Sequence, residues 1–172
     1  MPDFAAAIRT VPDFPEPGVQ FKDLTPVLAD PDLYAALLDR LAEPWADAGI
    51  TQVVGVESRG FWFGPGMAAR LGAGFLPARK PGKLPADTLR EDYALEYGYD
   101  AVELHRDDLP ESARVLVHDD VIATGGTAAA VCRLVEAAGA TVAGLSFAIE
   151  VAVLAGRSRL PDGVPVDVAL EV

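Results

Sequence analysis

One cysteine in 172 residues, Cys132, leaves no partner for an intramolecular disulfide. It falls inside a helical pattern, where a lone thiol reads as a small core side chain in a reducing cytoplasm. Histidine is almost as scarce. His105 and His118 are the only two, and they lack the spacing of a metal site, so both read as structural or exposed. Basic residues are outnumbered, 14 Lys and Arg against 26 Asp and Glu, for a net charge of −12. That balance argues against nucleic acid and anionic membranes as partners, because both demand a basic face. Long apolar runs are missing too. None approaches the roughly 20 residues a membrane-spanning helix needs, and the first residues do not read as a signal peptide.

What remains is a chain that is 51% hydrophobic, with Val, Leu and Ala gathered in short runs. It reads as one domain over residues 1–172, large enough to bury a sizeable core. Asp3 caps a short helix running to Arg9. Val11–Pro26 is Pro-rich and extended, with Phe14 and Phe21 as anchors. Asp30 followed by Pro31 opens a helix that buries Leu33, Ala36, Leu37 and Leu41; Pro44 ends or kinks it, and Gly49 lies beyond. Gln52–Val56 is a buried strand, followed by a helix turning Phe63, Met67 and Leu71 inward. Phe75–Ala78 is another strand. Arg79–Asp92 reads as a polar loop, Tyr93–Tyr97 and Ala101–His105 as a hairpin turning at Gly98–Asp100. Then come a strand from Arg114 to Val117, a helix from Thr127 to Ala138, a strand from Thr141 to Val151, and an edge strand from Val164 to Leu170. Strands alternating with helices predict an α/β domain with a mainly parallel sheet, its ligand lying across the C-terminal ends of the strands.

One stretch carries the chemistry: RVLVHDDVIATGGT, Arg114 to Thr127. A β-branched strand runs into two adjacent acids, Asp119 and Asp120. A small-residue loop, Ala123, Thr124, Gly125, Gly126 and Thr127, then opens into an Ala-rich helix. Glycines without Cβ let the backbone turn sharply and approach a ligand, and successive N–H groups backed by a helix N-terminus form a concavity for an anion. Acids beside a phosphate repel it, so they serve sugar hydroxyls or an oxygen-bound Mg²⁺. Phosphate, polyol and Mg²⁺ together describe a ribose phosphate. A second cluster, Arg79, Lys80, Lys83 and Arg90, puts four cations in twelve residues of an acidic chain, as an anion clamp would.

The block VLVHDDVIATGGT resembles the phosphoribosyl pyrophosphate (PRPP) motif of the type I phosphoribosyltransferase family. Three further blocks, FPEPGVQFKDLTPVL, GVESRGFWFGP and RKPGKLP…YALEYG, resemble its adenine-using members, in the family's order and over nearly the whole chain. The resemblance implies the type I fold: a mainly parallel sheet flanked by helices, a small hood at about residues 11–28 and a flexible hairpin lid at about 79–99. It implies transfer of the phosphoribosyl group of PRPP to adenine, giving AMP and pyrophosphate, by a cytoplasmic homodimer that uses Mg²⁺. Ala123–Thr127 would hold the 5′-phosphate, and Asp119 and Asp120 the ribose hydroxyls and, directly or through water, the metal. Glu57, Ser58, Arg59, Arg79, Lys80 and Lys83 would hold pyrophosphate, with a cis peptide between Glu57 and Ser58. Val19, Gln20, Phe21 and Lys22 would line the adenine site. Arg59 and Glu96 are the catalytic candidates, Glu96 either removing the proton of the attacking nitrogen or holding the base by a hydrogen bond.

Two positions depart from the family. Gln20 and His118 stand where it carries aliphatic residues. Two rival readings share the motif. A PRPP-sensing regulator without catalysis predicts an appended DNA-binding domain or loss of the lid and Glu96, and the sequence shows neither. A transferase for a six-oxopurine or orotate is disfavoured by the hood and ESRG blocks, while Gln20 keeps it open. Glu96→Gln is expected to cut turnover strongly, on the order of 10²-fold, with PRPP affinity nearly intact. Steady-state kinetics beside a PRPP titration check this, and unchanged turnover removes Glu96 from the mechanism.

Overall fold

The computed structural model describes residues 3–94 and 98–172. Asp3 Oδ1 accepts the Ala6 N–H at 3.1 Å and caps a one-turn helix, α1 (Phe4–Ala7). The Pro-rich segment is not a bare connector. Strands β1 (Arg9–Pro12) and β2 (Gln20–Asp23) pair antiparallel from Arg9↔Asp23 to Pro12↔Gln20. Their closing pair is ionic: Arg9 binds Asp23 and, with the Thr25 N–H, holds that carboxyl down at about 2. Phe14 meets the Phe21 ring edge-on at 5.2 Å, but it is 52% exposed and so is not the buried anchor the sequence suggested.

Helix α2 (Thr25–Ala29) follows, then α3 (Pro31–Ala42), capped by Asp30, whose Oδ1 accepts the N–H groups of Asp32 and Leu33 at 2.9 and 3.1 Å. Ala36, Leu37 and Leu41 are buried as their spacing predicts, with Leu38 and Ala42 beside them, while Leu33 is only half-buried. A 3₁₀ turn containing Pro44 ends the helix. Strand β3 (Gln52–Val56), a 3₁₀ turn at Arg59–Trp62, helix α4 (Gly64–Leu71) and strand β4 (Gly74–Ala78) come next. Strands β5 (Thr88–Ala94) and β6 (Tyr99–His105) form a hairpin. Strand β7 (Arg114–Ile122), helix α5 (Gly126–Ala137), strand β8 (Thr141–Glu150) and strand β9 (Val166–Glu171) complete the chain.

The central sheet has the order β4-β3-β7-β8-β9, and every pairing in it is parallel. Side chains alternate across it. Val54, Val115 and Val117 join Val131, Leu134 and Val135 of α5 in one core. Val53 and Leu116 join Leu37 and Leu41 of α3 and Met67 of α4 in the other. Both faces are therefore covered, which is why these strands read as continuous apolar runs. Cys132 is wholly buried in the first core, where burial pushes its thiol up to about 12. His118 is wholly buried too, its Nδ1 3.1 Å from the Ser146 carbonyl. Burial holds it neutral, with its pKa down at about 4. Among the described residues no helix is long and apolar enough to cross a membrane.

Three boundaries correct the sequence reading. The first helix stops at Ala7 and does not reach Arg9, which instead opens β1 in its ladder with β2. The central strand runs on past Val117 through both acids to Ile122, because its ladder with β8 continues to Ile122↔Glu150. The hairpin begins at Thr88 instead of Tyr93, and its ladder closes at Ala94↔Tyr99. Tyr99 and Asp100 are thus strand residues, not turn residues. Arg90, Glu91 and Asp92 conceal the strand in the sequence, since on this ribbon the charges face solvent or pair with each other and with Arg133 of α5.

A Cβ added at Gly144 of β8 would stand 2.1 Å from the buried ring of Trp45. Gly144→Ala is expected to cost about 1–3 kcal/mol by overpacking, seen as a lower urea midpoint at unchanged slope.

Candidate active site

Where β7 leaves the sheet, Ala123–Gly125 form a short loop and α5 begins at Gly126. Gly125 adopts φ 76°, and a Cβ there would lie 2.2 Å from the Gly156 carbonyl. A Cβ on Gly156 would in turn strike the Ala123 carbonyl at 2.2 Å. The two glycines let the cradle and the loop after β8 interlock backbone to backbone. The cavity above them measures about 90 Å³ and is lined by Ala123–Thr127, Asp119 and Phe147. No acidic side chain occupies the first turn of α5, so its free N–H groups and positive dipole end face the cavity uncompensated. An anion of phosphate size is the ligand such a site favours.

Asp119 and Asp120 belong to a strand, so their side chains leave opposite faces of β7. Asp119 faces the cradle, with its Oδ1 also accepting the Asp120 N–H at 2.8 Å. Burial and the neighbouring Asp120 charge push its carboxyl well above the usual range. Asp120 is 2% exposed; burial pushes it up, against the pull of the Arg59 charge. Its Oδ2 lies 3.1 Å from Arg59 Nε, yet among the described residues no well-directed hydrogen bond reaches that oxygen. Two carboxylates disfavoured as anions, one with an orphaned oxygen, suit a hard dication. Among the described residues no group of three or more His, Cys, Asp and Glu side chains could hold a metal. A Mg²⁺ here would therefore draw its other ligands from a bound phosphate compound and water.

A larger cavity, about 430 Å³, opens beneath β2. Val19, Gln20, Phe21 and Lys22 line it together with Arg59, whose guanidinium lies 5.2 Å from the Phe21 ring centroid. Its far wall, which the sequence reading missed, is Val121, Val151, Val153 and Leu154. The available signal was the run VAVL directly after β8, since apolar residues past a strand's C-terminal end sit where ligands bind. Val153 is 86% exposed, which suits an open wall. Val121 and Ala123 line both cavities, so the two are adjoining halves of one site.

The basic cluster lies elsewhere. Glu57 Oε2 accepts Arg79 Nε at 3.1 Å and the Lys80 N–H at 2.9 Å, bonds that outweigh burial and hold Glu57 below its ordinary range. Arg79 also donates to the Lys83 carbonyl at 3.2 Å. The Lys80 ammonium is bound to Asp100 and Tyr93, and Arg90 pairs with Asp92 at the solvent face. The Glu57–Ser58 peptide is cis, as the resemblance implies. Glu96, with Leu95 and Tyr97, lies outside the described residues.

An α/β sheet with an anion cradle and acid pair at one strand exit, beside an apolar pocket, defines a class that binds sugar phosphates next to a flat, apolar group. The family model for the phosphoribosyl transferase domain matches residues 32–165. An adenine phosphoribosyltransferase of Gloeobacter violaceus is 53% identical over 98% of both chains. The crystal structure of the adenine phosphoribosyltransferase of Rhodothermus marinus superposes with TM-score 0.93 at 57% identity, over 98% of this chain and 96% of that one. That of Saccharomyces cerevisiae, complexed with an imino-altritol bisphosphate and adenine, gives 0.91 at 40% identity over 96% of each. The chain is an enzyme of the phosphoribosyltransferase class. Within that class it belongs to the adenine phosphoribosyltransferase family.

The raised carboxyl of Asp119 has a consequence for stability. Its folded pKa lies above the unfolded value, so ionisation opposes folding. The penalty is absent below the ordinary carboxylate range and grows until pH passes the folded value. Asp119→Asn is therefore expected to raise the melting temperature of the ligand-free protein at pH 7, by about 2–4 °C for each kcal/mol recovered. Thermal scans across pH should show the gain vanish in acid, and a gain that persists there would refute this account.

Proposed function

We propose that this chain transfers the phosphoribosyl group of PRPP to adenine, and that the two adjoining cavities divide the reaction between them. The smaller takes the 5′-phosphate on the free N–H groups of Ala123–Thr127 and the hydroxyls of Thr124 and Thr127. Asp119, on the cradle side of β7, takes ribose hydroxyls. Asp120 holds Arg59 at the boundary of the two cavities and stands ready with Asp119 to meet a Mg²⁺. Bound there, the metal would neutralise the acids and the phosphate oxygens of PRPP.

The larger cavity takes the base between Phe21 and the Val121–Leu154 wall. An apolar slot of this kind accepts a flat purine and keeps water from the reacting carbon. Gln20 and Lys22 supply the polar groups at its rim. As the bond from the anomeric carbon to pyrophosphate breaks, a nitrogen of adenine takes its place and gives up its proton. Negative charge grows on the departing pyrophosphate, and Arg59, Arg79 and Lys83 are the cations that would stabilise it. Lys80 contributes less directly, because its ammonium is already bound to Asp100. Glu96 is proposed to receive the proton of the base or to hold it.

The observation that carries this reading is the shared wall. Val121 and Ala123 touch both cavities, so a phosphate in one and a base in the other can be joined by a single ribose. Mg²⁺ dependence, a homodimer and a cytoplasmic location complete the proposal on the family resemblance, and the buried reduced thiol of Cys132 is in keeping with the last. The test is a coupled pyrophosphate-release assay with PRPP and Mg²⁺ against adenine, hypoxanthine, guanine and orotate. Adenine is expected to exceed the other bases by at least about 10²-fold in kcat/KM. Preference for another base would sink the assignment of the larger cavity.

A further inference from the structure

Tyr93 takes no part in the reaction above, yet its hydroxyl joins the hairpin to the cradle. The side chain is 5% exposed. Its Oη lies 3.0 Å from Lys80 Nζ, 3.1 Å from Asp100 Oδ2 and 3.2 Å from Thr127 Oγ1. A phenol has one proton to donate and two lone pairs to accept with, so these three contacts saturate it. Their directions follow from the partners. The Lys80 ammonium can only donate. Asp100 can only accept once ionised; burial disfavours that, but hydrogen bonds from Lys80 and the Ala101 N–H outweigh it and hold the carboxyl low. Tyr93 must then donate to Asp100, and Thr127 must donate to Tyr93.

A threonine hydroxyl has a single proton. That of Thr127 points at the hairpin, away from the cavity its own residue lines. An ionised phosphate ester presents acceptor oxygens there and needs that proton. We propose that Tyr93 is a positioning residue that holds the Thr127 proton off the cradle, and that a sugar phosphate competes for the proton and so releases the Tyr93–Thr127 link between hairpin and α5. Lys80 and Asp100 keep Tyr93 oriented while the link exists. After its release, the Arg133–Glu91 ion pair remains as a polar tie between α5 and β5 among the described residues. Filling the cradle thus loosens the ribbon that borders it, with ribose 5-phosphate as the smallest ligand able to do so. The inference rests on the phosphate reading of the cradle.

Tyr93→Phe removes the acceptor and leaves the Lys80–Asp100 pair to close on itself. Calorimetric titration with ribose 5-phosphate should show it binding about 2- to 10-fold more tightly than to the wild type, the worth of one net hydrogen bond. KM for PRPP should fall in parallel while KM for adenine stays put. In a Thr127→Val background, the same Tyr93→Phe change should leave affinity unaltered, because no proton remains to be released. A tyrosine that merely packs would give weaker or equal binding in both backgrounds, and either result overturns the proposal, as does tightening that survives the loss of Thr127. If the wild type itself fails to bind ribose 5-phosphate, the phosphate reading falls and takes this inference with it. If the wild type binds and Tyr93→Phe is no tighter, only the role of Tyr93 falls.

Discussion

Everything at this site depends on two carboxylates kept side by side where the central strand leaves the sheet. Like charges in a half-dry setting repel, and nothing in the fold fully relieves them. Among the described residues, Asp120 has Arg59 close by but one oxygen without a directed donor, and Asp119 accepts the N–H of its neighbour. The ladder with β8 holds the backbone in place in spite of that repulsion, because it continues through both residues to Ile122↔Glu150. The result is a strand end that favours a polyol or a dication over emptiness, next to a helix end that favours an anion. The molecule accepts a loss of stability in order to keep two buried acids at this strand exit.

The second organising feature is the loop after β8. Gly156 presses against Ala123 and Gly125 in the cradle, while Val153 and Leu154, three and two residues before it, line the larger cavity. Glu150, at the end of β8, binds Arg157 through both carboxylate oxygens and so clamps the loop at its two ends. The two cavities are consequently set by the same few backbone atoms, and their spacing cannot vary independently. Arg59 adds a third tie, reaching from Asp120 to the Phe21 ring of the hood.

How far this was legible varies from residue to residue. Asp30–Pro31 announced the start of α3 because capping acts over three residues. VLVHDDVIATGGT announced strand, loop and helix because a continuous apolar run, paired glycines and an Ala-rich stretch are each local signals. The β1–β2 ribbon was less visible, since prolines and polar residues on a small exposed ladder give no buried face to read. Strand β5 was hidden by Arg90, Glu91 and Asp92, whose charges suit solvent and one another and therefore resemble a loop. The far wall of the larger cavity was visible only as an apolar run after a strand, with no hint of what it faced.

By itself the sequence determined the α/β class, the anion-binding turn and the acid pair, because each arises from residues adjacent in the chain, where backbone geometry fixes the distances. Which groups meet across the fold was decided by tertiary structure alone. Arg59 finds Asp120, Leu154 faces the hood, and Tyr93 accepts a hydrogen bond from Thr127 through packing of elements tens of residues apart. No short-range pattern encodes such meetings, since they depend on how every intervening helix and strand is stacked.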